Sequence, residues 1–177
     1  VLVAPYLPYM RQDPAFTPDE PVSQRVVAGL LDDAFDRIVT VDPHIHRIST
    51  LGDVFPTAEC TLLHGGDALV AYLRASADAT RWLVVGPDSE SAPWVRRISE
   101  PRGLDHAVME KRRRGDRSVD ITLPKGLSPS GRPVLLVDDI CSSGTTLRES
   151  VVKLKSASAG AVTIFVTHPL GGDDLID

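Results

Sequence analysis

Short apolar runs alternate with segments of helical periodicity along most of the chain. Apolar runs bounded by charge, glycine or proline occur at residues 1–4, 37–41, 82–85, 134–137 and 161–167, which predicts buried strands there. Between the first two runs, Val26, Val27, Leu30 and Leu31 have helical spacing after Ser23, which we interpret as a helix N-cap. This alternation predicts an α/β fold with mainly parallel sheets flanked by helices.

The part of the chain between residues 48 and 75 has the weakest pattern. Gly65 and Gly66 precede apolar residues with helical spacing, so a helix is expected after residue 66. We interpret this region as the passage between two lobes.

The chemistry is concentrated in residues 134–146. An apolar strand, Val134–Val137, is predicted to end at two adjacent carboxylates, Asp138 and Asp139. A loop of small residues leads into the next helix. Its backbone N–H groups and the helix N-terminus would form an anion site suited to a phosphate monoester. The carboxylates can accept hydrogen bonds from a neighbouring diol, so this stretch predicts a ribose phosphate site. The loop residues are Ser142, Ser143, Gly144, Thr145 and Thr146.

An ordinary strand-to-helix connection with a Ser/Thr N-cap is the alternative for this loop. The acidic pair argues against it, because adjacent carboxylates repel each other and require cationic or hydroxylic partners. The loop is not a Walker A loop, since it has no Gly-Lys-Ser/Thr.

Three other features have a functional and a structural interpretation. Asp88 follows a predicted strand and would face the ligand crevice of an α/β sheet, as a Mg²⁺ ligand or as a helix N-cap. The cationic run at residues 111–117 has the composition of a nuclear or RNA-binding tract or of a solvated turn. His44 and His46 match a zinc-hydrolase pattern, but the remaining histidines do not extend it.

Composition narrows the class of protein. The 177 residues are 42% hydrophobic and 24% charged, which fits one globular domain or one domain with part of another. The net charge of -5 argues against general nucleic-acid binding, and no apolar run approaches the length of a membrane span. Two cysteines are too few for a disulfide framework, so a cytoplasmic location is expected.

The stretch at residues 134–146 resembles the phosphoribosyl-pyrophosphate (PRPP) loop of type I phosphoribosyltransferases and of ribose-phosphate diphosphokinases. Residues 5–13, Pro-Tyr-Leu-Pro-Tyr-Met-Arg-Gln-Asp, resemble a motif of the diphosphokinase alone. The resemblance covers nearly the whole chain. It implies two phosphoribosyltransferase-like lobes, a nucleotide-side lobe at residues 1–65 and a ribose-phosphate lobe at residues 66–177.

The resemblance also implies a role for each candidate residue. Arg11, Gln12 and His44 match residues that contact ATP, and His44 and Asp88 match positions near Mg²⁺. Lys111 and Arg113 match the start of the family's flexible catalytic loop. The expected reaction transfers a diphosphoryl group from ATP to ribose 5-phosphate, with Mg²⁺ as the cofactor and a homo-oligomer as the assembly.

Two other functions remain open at this point. One is a phosphoribosyltransferase that consumes PRPP, and the other is a non-catalytic regulatory homologue. Relatives often have an acidic residue at the position of Ser142, so a base at that position is not expected here. Because the chain opens inside an apolar run at Val1 and closes in a glycine-rich loop, we expect a fragment whose first lobe lacks its start and whose second lobe lacks its end.

Overall fold

The computed structural model describes residues 1–15, 17–45, 47–74, 81–114, 118–124 and 126–171, without the side chains of residues 74, 111–114 and 118–120. The chain divides into two compact units, Val1–Gly65 and Gly66–Asp177. Both are α/β units with parallel sheets, so the predicted fold class is confirmed.

The first unit has a three-stranded parallel sheet in the order β1-β2-β3, with helix α1 packed on it. Helix α1 buries Ala28 against Leu7, Met10 and Phe55, and these side chains form the centre of this unit's core. The elements are β1 (Leu2–Ala4), α1 (Ser23–Ala34), β2 (Arg37–Val41) and β3 (Glu59–Leu63).

The second unit has a four-stranded parallel sheet in the order β5-β4-β8-β9 and an antiparallel hairpin, β6-β7. Alternating residues of β8 enter two different apolar clusters. Leu135 and Val137 pack with α2 and α3, whereas Val134 and Leu136 pack with α4. The helices therefore cover both faces of the sheet. The elements are α2 (Gly65–Arg74), β4 (Leu83–Gly86), α3 (Ala92–Ser99), β5 (His106–Val108), β6 (Glu110–Arg114), β7 (Ser118–Thr122), β8 (Val134–Cys141), α4 (Thr145–Ser156) and β9 (Val162–Pro169).

The N-terminal end of α1 differs from the prediction. Ser23 is the first helical residue and Val22 is the N-cap, without a side-chain hydrogen bond. The cap prediction for Ser23 is therefore wrong. Gln24 ties this end of the helix down instead, because its side-chain amide donates to the carbonyl of buried Met10 at 3.1 Å.

Candidate functional site

Strand β8 places the acidic pair within the sheet. It runs from Val134 to Cys141, and its pairing with β9 continues past the carboxylates, with Ile140 opposite His168. The prediction that the strand ends before Asp138 is therefore wrong. Backbone pairing is independent of side-chain polarity, and the pair lies close to the carboxyl end of the sheet, where strand ends face a ligand crevice.

The two carboxylates of the pair have different environments. Asp139 is 4% exposed, and the backbone N–H of Ile140 donates to its Oδ1 at 2.8 Å. Burial raises the pKa of Asp138 to about 8, and the negative charges of Asp139 and Asp88 add to the increase. Excess negative charge at this point suits a partner that donates hydrogen bonds or carries positive charge.

Asp88 lies beside this pair. It follows β4, which is the parallel neighbour of β8 with Val85 opposite Leu136. Its carboxylate accepts a hydrogen bond from the backbone N–H of Glu90 at 3.0 Å and so caps the 3₁₀ turn Ser89–Ser91. The capping interpretation is thus confirmed for a short turn, while the same carboxylate is close enough for its charge to act on Asp138.

Close packing around Gly86 holds the turn that carries Asp88 in place. A Cβ at Gly86 would lie 2.9 Å from Val95 Cγ2 and would overlap Ser91 Oγ. Ser91 Oγ in turn donates to the carbonyl of Asp88 at 2.5 Å. Glycine at the end of β4 therefore allows α3 to pack closely and fixes the turn that carries Asp88.

The loop after β8 is shorter than expected. It consists of Ser142, Ser143 and Gly144, because Thr145 and Thr146 already belong to α4, and their assignment to the loop is wrong. Gly144 is the N-cap residue at φ +71°, a conformation that favours glycine.

Helix α4 begins directly after this loop, so its N-terminus lies beside the loop hydroxyls. The Oγ of Ser143 is 3.1 Å from Oγ1 of Thr145, and both side chains are exposed. First-turn N–H groups of a helix have no partner within the helix and, with the helix dipole, attract an anion. Hydroxyls and backbone donors are thus collected at one point, a few residues from the carboxylates of β8.

Sequence reasoning missed Cys141, the last residue of β8. Burial raises the pKa of its thiol, the backbone N–H of Gly144 opposes this by donating to the sulfur, and the charge of Asp138 raises it further. This hydrogen bond from Gly144 to the buried thiol helps to hold the turn after β8 in place. A polar contact of this kind depends on the loop conformation and has no sequence pattern.

The first part of the cationic run is a β-strand and not the predicted loop. Lys111 and Arg113 belong to β6, which pairs in antiparallel fashion with β7 and sets Lys111 opposite Ile121. The prediction of a loop beginning at these residues is therefore wrong for residues 111–114. The side chains of Lys111 and Arg113, and residues 115–117, lie outside the described part of the chain.

In the first unit, Arg11 and Gln12 follow a turn on the surface. Both residues are exposed, and the N–H of Gln12 donates to the carbonyl of Tyr9 at 3.0 Å. The next residue, Asp13, accepts a hydrogen bond from Arg47 at 2.6 Å. Arg11 and Gln12 are thus presented outward on a segment anchored on both sides.

His44 lies three residues past the end of β2 and is 7% exposed. Near it is a contact that sequence reasoning missed, in which Nδ1 of His64 lies 2.8 Å from Oδ1 of buried Asp42. The second oxygen of Asp42 accepts from the N–H of Gly65 at 2.9 Å. The parallel register of β2 and β3 brings these residues together. The other histidine of the His-x-His pattern, His46, lies outside the described residues.

The described ranges contain neither a metal-binding cluster nor a membrane-spanning helix. No group of three or more His, Cys, Asp or Glu side chains within them is arranged to hold a metal ion. Within the same ranges, each helix is too short or too polar to cross a membrane.

Comparison with known proteins points to one family. The phosphoribosyl transferase domain family matches residues 61–173. The ribose-phosphate pyrophosphokinase of Methanopyrus kandleri is 34% identical over 170 residues, which are 96% of this chain and 57% of that protein. The corresponding protein of Methanosarcina mazei is 35% identical over 169 residues, covering 96% of this chain and 55% of the relative.

A solved structure matches both units of the chain. The crystal structure of phosphoribosylpyrophosphate synthetase from Mycobacterium smegmatis has a TM-score of 0.80 and 28% sequence identity. The match covers 98% of this chain and 55% of that one. The chain therefore spans a little over half the length of the relatives that it resembles.

Proposed function

The chain belongs to the phosphoribosyl transferase domain family, and on that premise we propose that it acts as a ribose-phosphate diphosphokinase. The proposed reaction transfers the β,γ-diphosphoryl group of ATP to the 1-hydroxyl of ribose 5-phosphate and yields PRPP and AMP. Similarity to proteins named ribose-phosphate pyrophosphokinase along 96% of the chain supports this choice within the family.

The observation that carries the proposal is the arrangement at the end of β8. A carboxylate pair, a three-residue loop and the N-terminus of α4 follow one another within eight residues, from Asp138 to Thr145. Phosphate is an anion that first-turn N–H groups and hydroxyls bind, and vicinal hydroxyls are donors that carboxylates accept. In the proposed complex, Ser142 to Thr146 bind the 5-phosphate and Asp138 and Asp139 bind the ribose hydroxyls.

Replacement of one carboxylate tests the diol role. Asp139→Asn is expected to weaken ribose 5-phosphate binding about tenfold or more, because an amide loses the charge-assisted hydrogen bonds to the sugar hydroxyls. Isothermal titration with ribose 5-phosphate measures the affinity. Asp105→Asn is the matched control, since that carboxylate is exposed and pairs with Arg132 at 2.9 Å. Equal affinity in Asp139→Asn and wild type would show that the diol role is wrong.

The nucleotide side is assigned to the first unit. We assign ATP contacts to Arg11, Gln12 and His44, since the outward guanidinium of Arg11 can pair with phosphate or stack on a base. These assignments rest on the resemblance of residues 5–13 to the diphosphokinase motif and on the likeness to the Mycobacterium smegmatis structure.

Mg²⁺ is the proposed cofactor, with Asp88 as its protein contact in the second unit; His44 is a separate candidate contact in the first unit, assigned by the resemblance alone. The residues fit this ion in one respect: Asp88 and the carboxylates of β8 are hard oxygen donors with excess negative charge. The described residues form no all-protein cage, and Mg²⁺ commonly binds through one or two protein groups together with substrate phosphates and water. When bound, the ion would offset phosphate charge.

The remaining catalytic work is assigned to the cations of β6. Lys111 and Arg113 are proposed to stabilise negative charge on the diphosphoryl group as it is transferred, while the carboxylates and the loop hold the sugar in line. At the position where relatives often have an acidic residue, this chain has Ser142, which offers no carboxylate to act as a base. Catalysis in this proposal is therefore mainly positioning and electrostatic stabilisation.

Product analysis separates the proposed function from the two alternatives. The diphosphokinase forms AMP in a reaction that requires both ATP and ribose 5-phosphate. A phosphoribosyltransferase, which the family match alone would also allow, releases pyrophosphate from PRPP in the presence of a base. Nucleotide binding without either reaction would favour the regulatory homologue. Formation of AMP without a requirement for ribose 5-phosphate would contradict the proposal.

A further inference from the structure

Arg47 joins two segments of the first unit that lie 34 residues apart in the sequence. Its Nη1 donates to Oδ1 of Asp13 at 2.6 Å. The two side chains differ in exposure, because Arg47 is 53% exposed whereas Asp13 is only 4% exposed. A carboxylate with so little access to water needs a hydrogen-bonding cation, so the loss of this pair disturbs its surroundings more than the loss of an ordinary surface pair.

The turn Tyr9–Gln12 begins with strained backbone. Tyr9 has φ +66°, a left-handed conformation that residues other than glycine rarely adopt. The N–H of Gln12 donates to the carbonyl of Tyr9 at 3.0 Å, and the carbonyl of Gln12 accepts from the N–H of Gln24 at 3.2 Å. Backbone in such a conformation persists only where the surrounding contacts hold it. Directly after this turn, the carboxylate of Asp13 supplies the next contact.

The loop that carries His44 is held both before and after Arg47. At its start, buried Asp42 is tied by two hydrogen bonds to the residues that follow β3. The carboxylate of Asp53 accepts hydrogen bonds from the two backbone N–H groups that lie two and three residues after Arg47, at 3.1 and 2.8 Å. The guanidinium of Arg47 therefore extends from an anchored backbone and gives Asp13 a fixed partner.

We propose that Arg47 is a positioning residue for the nucleotide. It acts through Asp13, the residue directly after Arg11 and Gln12. The ion pair fixes these two exposed residues relative to the loop of His44. This inference rests on the proposed function, in which the three residues contact ATP. Side chains and backbone that are ordered before the ligand arrives lose less entropy on binding, so the pair raises the affinity for ATP.

Removal of either partner of the ion pair tests this role. Arg47→Met, which retains the length of the side chain, and Asp13→Asn are each expected to weaken ATP binding about five- to tenfold. The double variant is expected to bind ATP about as weakly as the weaker single variant, because both changes break the same interaction. Isothermal titration with ATP in the presence of Mg²⁺ measures these affinities. Titration with ribose 5-phosphate is expected to give the wild-type affinity in all three variants.

Two further variants serve as controls. Arg37→Met breaks the ion pair of Arg37 with Glu59 in the same unit, whose side chains are 64% and 68% exposed, and is expected to leave ATP affinity unchanged. Arg47→Lys retains the positive charge without the planar fork and is expected to keep ATP affinity within about threefold of wild type.

Hydrogen exchange followed by mass spectrometry gives a readout that does not require ATP. In Arg47→Met, the amides of residues 9–13 are expected to exchange several-fold faster than in wild type, because the turn has lost one of the contacts that hold it. Thermal melting is expected to give nearly the wild-type transition, since the arginine side chain is largely exposed.

The outcomes separate this inference from the proposed function. A wild-type protein that binds ribose 5-phosphate but not ATP overturns the nucleotide assignment and this inference with it. Where wild type binds ATP, equal affinity in Arg47→Met overturns the inference alone. Additive weakening in the double variant also overturns it, because Arg47 and Asp13 would then act on ATP independently. Weaker ATP binding with unchanged hydrogen exchange would indicate that Arg47 contacts the nucleotide directly, which contradicts a positioning role.

Discussion

Lys111→Ala is expected to lower turnover by about 10²–10³-fold while ribose 5-phosphate binding is retained. A cation directed at the transferring group acts mainly on the transition state, and loss of one preorganised electrostatic contact commonly costs this much. Steady-state measurement of AMP formation gives kcat, and isothermal titration gives the sugar phosphate affinity. The expected result is a large decrease in kcat with little change in the affinity for ribose 5-phosphate.

The adjacent cation provides the matched control for this variant. Arg112 belongs to the same strand and the same cationic run, but it does not match a catalytic position of the family. Arg112→Ala is therefore expected to decrease kcat far less than Lys111→Ala. Equal decreases would indicate that the run acts through its total charge. An unchanged kcat in a folded Lys111→Ala variant would remove Lys111 from the catalytic machinery.

The residues of the proposed sugar site were predictable from sequence because they are contiguous. The order of strand, anion site and helix can be read without knowledge of the tertiary structure. An apolar run indicates the strand, the carboxylates and small hydroxylic residues indicate the site, and helical spacing indicates the helix. The error concerned the end of β8. Polarity suggested a stop at Asp138, but the carbonyl of Cys141 still accepts the N–H of Leu170 at 2.7 Å.

Contacts that depend on strand register were not predictable. The pair Asp42–His64 requires the parallel alignment of β2 with β3, in which Val41 lies opposite Leu63. Strand β3 itself was missed. Only Cys60 and Leu62 of its residues contact the core, and its edge position leaves Leu63 50% exposed. The short strand β5, from His106 to Val108, was missed because three residues are too few for a periodic pattern.

Asp138→Asn is expected to stabilise the fold at neutral and alkaline pH. The pKa of Asp138 is raised to about 8, first by burial and then by the charges of Asp139 and Asp88. An unfolded aspartate titrates near pH 4. Between about pH 4 and pH 8 the folded protein therefore retains a proton that the unfolded chain releases, so the contribution of this group to stability falls as the pH rises through that window.

Asparagine removes this penalty because its amide is neutral and can donate to Asp139. The stability difference between variant and wild type should be small near pH 4, grow up to about pH 8 and stay level above it. Since Asp138 is partly exposed, a maximum on the order of 2 kcal/mol is expected rather than the full value of the shift. Urea denaturation at pH 4, 6 and 8 measures it, with Asp105→Asn as the exposed control whose effect should not depend on pH in this way. A difference that is constant from pH 4 to pH 8 would show that Asp138 is ionised in the folded protein throughout. A difference that rises with pH would mean that the close placement of the Asp138 and Asp139 carboxylates in the proposed sugar site lowers the stability of the fold.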